Sequence, residues 1–139
     1  MTLLDAVATY LVANTTLTVG GTTGTLAKAQ MLDTQPDTVA VLYETGGAAS
    51  EYAFSTSTGQ AQVIYERPNL QLLSRSATYQ TARTVAETVY TTLDGLGDMT
   101  MSGTRYLDVD AVQAPFSIGR DKQERELVSV NFRIRKEVG

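Results

Sequence analysis

Hydrophobic residues change their spacing several times along this chain, and each change marks an element. Leu3, Leu4, Val7, Ala8, Leu11 and Val12 recur at helical spacing. Thr2 with Asp5 three residues on resembles a capping box, with Asp in the usual Glu place. Together they predict an amphipathic helix over roughly 3–13, ending near Asn14. The period then disappears. Leu17-Thr18-Val19 and Thr25 to Leu32 are candidate strands, broken by Gly20-Gly21-Thr22-Thr23-Gly24. A turn over Asp33 to Asp37 leads into Thr38 to Tyr43, a short strand rich in β-branched residues. Asn69 to Arg75 is a further strand behind Pro68, a residue tolerated at a strand start. Helical spacing returns with Ala82, Val85, Ala86, Val89, Tyr90 and Leu93, opposite a polar face of Gln80, Arg83, Thr84, Glu87, Thr88 and Thr91. This predicts a second helix over about 78–94, closed by Asp94-Gly95 with the glycine free to take a left-handed cap.

The last third is strand material: Met99 to Ser102, Arg105 to Gln113 and Leu127 to Lys136. In the final strand Val128, Val130, Phe132 and Ile134 alternate with Ser129, Asn131, Arg133 and Arg135. Antiparallel pairing of 105–113 with 127–136 can set Asp108 opposite Arg135, Asp110 opposite Arg133, Val109 opposite Ile134 and Ala111 opposite Phe132. Both faces then agree, so the sequence predicts this register together with cross-strand charge pairs.

Two segments show no period. Residues 44–62 are rich in Gly, Ala, Ser and Thr, and residues 114–126 separate two strands. Both read as long loops, which in compact domains are usually functional or disordered. Tyr52 and Phe54 in the first are either anchors for a neighbour or pins to the chain's own domain. The expected fold is therefore α+β: one domain over 1–139, with a mixed, mostly antiparallel sheet covered by two helices and two long loops.

Composition narrows the chemistry. The charged fraction is 19%, below the roughly 25% of typical soluble domains. Thr and Ser fill the gap, which suits burial against other proteins because a hydroxyl is cheaper to desolvate than a charge. A net charge of −4 argues against a grip on nucleic acid, which takes clustered Lys and Arg. The densest charge run, Arg120 to Glu126, is of mixed sign and reads as a solvated loop. There is no Cys and no His, so thiolate chemistry, the commonest general base and the commonest zinc ligand are missing. The glycine-rich run at 20–25 lacks the Lys of a phosphate-binding loop and reads as a turn. Asp108 and Asp110 share one side of a strand and could hold a divalent cation or act as an acid pair, but their expected arginine partners favour salt bridges. No catalytic, cofactor or metal residue is assigned. Without a basic leader or an apolar run of membrane length, the expected setting is the cytoplasm or a particle assembled there.

Taken in order, several stretches resemble a family of tailed-phage minor capsid or tail terminator proteins. They are Leu3-Leu4-Asp5-Ala6 with Tyr10-Leu11; Asp37 to Gly47 with Glu51-Tyr52; Tyr65-Glu66-Arg67-Pro68 running into Leu70-Gln71-Leu72; and Tyr79 to Leu96. Ser102 to Leu107, Pro115-Phe116 with Gly119-Arg120-Asp121, and Ser129-Val130-Asn131-Phe132 complete the set. The resemblance implies a non-enzymatic virion protein without cofactors, forming a ring, typically a hexamer, that caps the tail tube at the head–tail junction. Implied partners are the tail tube protein and a head-completion or connector protein, with double-stranded DNA passing the lumen without specific binding and no membrane contact. Some relatives use a divalent cation in ring formation, but no motif for one is visible in this chain. The two long loops are the expected contact elements, with Tyr52, Phe54, Phe116 and Arg120 as contact residues. Other neck components, a head-closure or adaptor protein, fit almost as well. A monomeric binding module and a metal-assisted hydrolase using Asp108 and Asp110 are the readings from other classes.

Overall fold

The computed structural model describes residues 2–19, 24–31, 35–53, 59 and 62–138. The first helix, α1 (Leu3–Asn14), starts where the sequence predicts. The Thr2 hydroxyl accepts the Asp5 backbone N–H at 3.2 Å and donates to the Asp5 carboxylate at 2.7 Å. Leu3, Leu4, Ala6, Val7, Ala8 and Leu11 are buried, whereas Val12, expected on the same stripe, faces outward. Lys28 reaches the other Asp5 oxygen at 2.6 Å and ties the helix to the short strand β1 (Leu26–Lys28).

That contact makes a pH prediction. Lys28, with help from Thr2, holds the Asp5 carboxyl down at about 2, against an ordinary value of 3.8. A depressed carboxylate stabilises the fold above its unfolded pKa and loses that contribution as pH falls through the folded value. Asp5→Asn should therefore be less stable than the parent above about pH 4 and converge with it near pH 2. Urea titrations at stepped pH would show the convergence; a constant gap down to pH 2 would contradict it. Because the pair is solvent-exposed, the gap should be small.

The second helix, α2 (Tyr79–Leu93), buries Ala82, Ala86, Val89 and Leu93, with Val85 and Tyr90 packed at the margin of the core. Thr78 caps its start, and Gly95 adopts φ +79° behind its end, as expected of a left-handed cap.

Among the described residues the sheet has seven strands. After β1 come β2 (Val39–Ala53), β3 (Gln62–Ser76), β4 (Leu96–Met101), β5 (Thr104–Ala111), β6 (Phe116–Arg120) and β7 (Glu126–Glu137). Their spatial order is β1-β2-β3-β7-β5-β4, with β6 also on β7. Only β1 and β2 run parallel, so the sheet is mixed and mostly antiparallel as predicted. A two-residue turn, Ser102-Gly103, with φ +49° and +84°, joins β4 to β5; positive φ at both positions matches the natural twist of a hairpin.

Both helices lie on one face. α1 packs on β1, β2 and β4, and α2 packs on β3, β5 and β7. Because α1 reaches strands at both ends of the order, the sheet curls around the helices. Rows of apolar side chains cross the strands under them, such as Leu42, Leu72 and Val130, and Leu70, Phe132 and Ala111. The register predicted between the two C-terminal strands is observed at all four positions: Asp108 opposite Arg135, Val109 opposite Ile134, Asp110 opposite Arg133 and Ala111 opposite Phe132.

Among the described residues the opposite face carries a second buried patch at one end. Val39 and Val41 are fully buried there, outside the helix-side core, beside Arg75, which is 1% exposed. The Arg75 guanidinium donates to the carbonyls of Pro36 at 2.8 Å, Asp37 at 3.3 Å and Gln35 at 3.4 Å, and so clamps residues 35–37 onto the sheet.

Candidate assembly surfaces

Among the described residues, both expected long loops contain strand. Residues 44–53, expected as loop, continue β2, which pairs with β3 from Val39 opposite Arg75 to Ala53 opposite Gln62. The distal part of this hairpin is an arm. β7 leaves β3 at Tyr65 opposite Glu137, and β1 leaves β2 at Leu42, so beyond these points the two strands pair only with each other among the described residues. Small residues hid the strand in the sequence. Gly46-Gly47-Ala48-Ala49-Ser50 show no alternation of apolar and polar, because this stretch has no core to face.

The arm is bulged between Thr45 and Ala48, between Ala48 and Glu51, and between Glu51 and Tyr52. Bulges increase twist. At the first of them the two backbones approach so closely that a Cβ on Gly47 would lie 1.9 Å from the Arg67 carbonyl oxygen, whereas one on Gly46 meets nothing within 4 Å. Gly47→Ala should therefore destabilise the arm by about 2 kcal/mol, an overpacking cost, while Gly46→Ala stays near neutral. Hydrogen exchange at the arm amides, compared between the two variants, checks this; equal protection would contradict it.

A charged contact braces the arm against the sheet. Arg135 on β7 donates its Nε and a terminal N–H to the two Glu51 oxygens at 2.6 and 3.0 Å, and its guanidinium lies 4.5 Å from the Tyr65 ring centre. Arg135 thereby holds the Glu51 carboxyl below the usual range. The cross-strand charge pair expected here is thus corrected in part. Arg135 faces Asp108 in register, but Glu51 offers bidentate geometry from the neighbouring arm and takes the hydrogen bonds; Asp108 contributes only through-space attraction.

Residues 114–126, the other expected loop, contain β6. It pairs antiparallel with β7 from Phe116 opposite Ser129 to Arg120 opposite Glu126, on the edge that β5 occupies farther along. β5 and β6 therefore act as one interrupted strand against β7. The closing turn is built by Asp121. Its Oδ1 accepts the backbone N–H groups of Gln123 and Arg125, both at 2.9 Å, and its Oδ2 accepts Arg125 Nε at 2.8 Å. Those backbone donors, with Arg125, hold the Asp121 carboxyl below its ordinary range. Arg125 is buried and also meets Asp37 at 3.3 Å, so the charge run is only partly the solvated loop that its mixed sign suggests.

The structure does not bring the predicted contact residues together within one chain. Tyr52 stands on the distal arm and is 59% exposed. Phe54 lies outside the described residues. Phe116 opens β6 and is 38% exposed, and Arg120 closes it, paired with Glu126 at 2.8 Å and Glu124 at 3.2 Å. The β3–β7 register sets the two groups at opposite ends of the sheet: Tyr65 meets Glu137 near the arm, while Ser76 meets Glu126 at the Asp121 turn. Sequence reasoning missed Ile64 and Ile118, both exposed, because neither lies in a segment with an alternating apolar pattern. No helix among the described residues is long and apolar enough to cross a membrane.

Comparison with known proteins adds the family. A family model described as bacteriophage tail terminator protein matches residues 12–138. Among solved structures, a chain from the virion of a native gene transfer agent particle is similar in fold, with TM-score 0.65 and 20% identity, covering 98% of this chain and 95% of that one. No curated protein sequence matches.

Proposed function

The chain belongs to the bacteriophage tail terminator family, a family of structural phage-tail proteins, and from that premise we propose that it forms a closed ring, typically a hexamer, that caps the tail tube at the head–tail junction. The observation that carries this reading is a family match that spans all seven described strands and the second helix, and takes in only the end of the first. In this reading the ring sits between the tail tube protein and a head-completion or connector protein, and is assembled in the host cytoplasm as part of the virion. The chain acts as one domain, without enzymatic activity.

Two physical features support the ring. First, exposed contact residues lie at opposite ends of one sheet, which suits a heterologous interface repeated until it closes. Second, the net charge is −4, and a channel that lets double-stranded DNA slide should not hold phosphates. The test is direct. Purified protein mixed with purified tail tubes should appear by electron microscopy as a closed ring at one tube end, and native mass spectrometry should give a single multiple of the chain. Bare tube ends together with a monomer at every concentration would overturn the reading.

A further inference from the structure

The sheet has edges without a neighbouring strand at two distant places, and on the first of them only two carbonyls are taken by side chains among the described residues, Ala49 by Arg67 at 2.7 Å and Gly46 by Asn69 at 3.1 Å. β1 covers β2 only from Ala40 to Leu42, so the outer edge of β2 from Tyr43 to Ala53 has no strand partner among the described residues. The outer edge of β6 has none either; this strand meets β7 alone, and all five of its residues are exposed. Soluble proteins blunt such edges with bulges, as the arm does, and with a Lys or a Pro. Neither run contains one: Tyr43 to Ala53 reads YETGGAASEYA and Phe116 to Arg120 reads FSIGR.

Both edges carry large apolar side chains in water. Tyr52 has the bulged Ile64 beside it on the arm; Phe116 and Ile118 on β6 follow the exposed Val112. Charge does not tell the two edges apart, because Glu51 is paired with Arg135 and Arg120 with Glu126 and Glu124 inside the chain; the exposed apolar side chains and the open backbone are what each edge offers a neighbour. The β3–β7 register puts the two edges at opposite ends of the sheet, so one chain cannot satisfy its own pair.

We propose that the outer edge of β2, from Ala48 to Ala53, pairs with the outer edge of β6 in the next copy of this chain, so that the sheet continues from subunit to subunit. This rests on the ring reading and specifies which surfaces make the ring. Strand addition supplies affinity through main-chain hydrogen bonds, while Tyr52 meeting the Phe116–Ile118 surface supplies specificity. Each chain offers one donor edge and one acceptor edge, the requirement for head-to-tail closure.

Because the chain has no cysteine, introduced thiols report only this contact. Single variants Ala48→Cys, Ser50→Cys and Tyr52→Cys on one edge would be combined pairwise with Phe116→Cys and Ile118→Cys on the other, mixed before assembly and oxidised. Native mass spectrometry of the same samples before oxidation records whether rings form. The expected result is a disulfide-linked dimer in at least one mixture and in no single variant alone, and a ladder of linked chains from the matching double variant. Rings that form without any cross-link between these positions would overturn the pairing and leave the ring reading standing. Self-linking of one single variant would overturn it in favour of a two-fold contact. Links formed only to the tail tube protein would overturn it by giving the edge to another partner. A monomer under all conditions, with and without tubes, would remove the ring reading and the pairing with it.

Discussion

Replacing Arg75 with alanine should cost about 3 kcal/mol of stability, a large share of the 5–15 kcal/mol available to a domain of this size. The side chain is 1% exposed and its guanidinium satisfies carbonyls of Gln35, Pro36 and Asp37. Truncation leaves those carbonyls without their donor and opens a cavity beside Val39 and Val41. The loss also propagates, because Asp37 holds Arg125 and so links the clamped segment to the Asp121 turn. Arg75→Lys should recover only part of the stability, since one ammonium cannot reproduce a planar fork. Urea denaturation of the three proteins checks this; a midpoint shift below that of a typical surface substitution would show that the clamp contributes little.

Shortening the arm should do the reverse, sparing the fold and abolishing assembly. Replacing residues 51–65 with an Asn-Gly turn removes the distal hairpin from the observed cross-strand pair Glu51 opposite Tyr65 outward. The helix-side core draws no residue from between Leu42 and Leu70, so the truncation leaves it whole. The main loss is the exposed Arg135–Glu51 contact, for which a stability change of about 1 kcal/mol or less is expected. Thermal melting should therefore be nearly unchanged while native mass spectrometry finds only monomer. Normal rings from this variant would refute a role for the arm in assembly.

How far the sequence was legible depends on whether a segment faces a core. α1 and α2 each bury one side against the sheet, β7 turns its apolar residues to one face, and their periods of helix and strand were readable in advance. The β5–β7 register was readable because charge and apolarity agree on both faces at once. The partner of Arg135 was not, since Glu51 is 84 residues away on an arm that no pattern revealed. The distal half of β2 and all of β6 were invisible for one reason: they are strands held by backbone pairing, with no buried face to impose alternation. Arg75 looked like the polar end of a strand; its burial depends on a turn that reaches it from residues 35–37. At the assembly surfaces Tyr52, Phe116 and Arg120 were named from the sequence, whereas Ile64, Ile118 and Gly47 needed the register to place them.

The place of β7 in the sheet has a consequence for biosynthesis. β7 follows all the other described strands along the chain, yet it pairs with β3, β5 and β6. Until residues 126–137 emerge, the nascent chain holds two separate strand groups, β1–β3 and β4–β5, that no strand joins, and β6 has no strand to pair with. Closure then requires contacts across long loops of chain, such as Lys136 with Glu66, 70 residues apart. The sheet therefore cannot close before β7 is made, and premature termination ahead of β7 would release a chain with open inner edges, prone to aggregate, rather than a smaller working subunit.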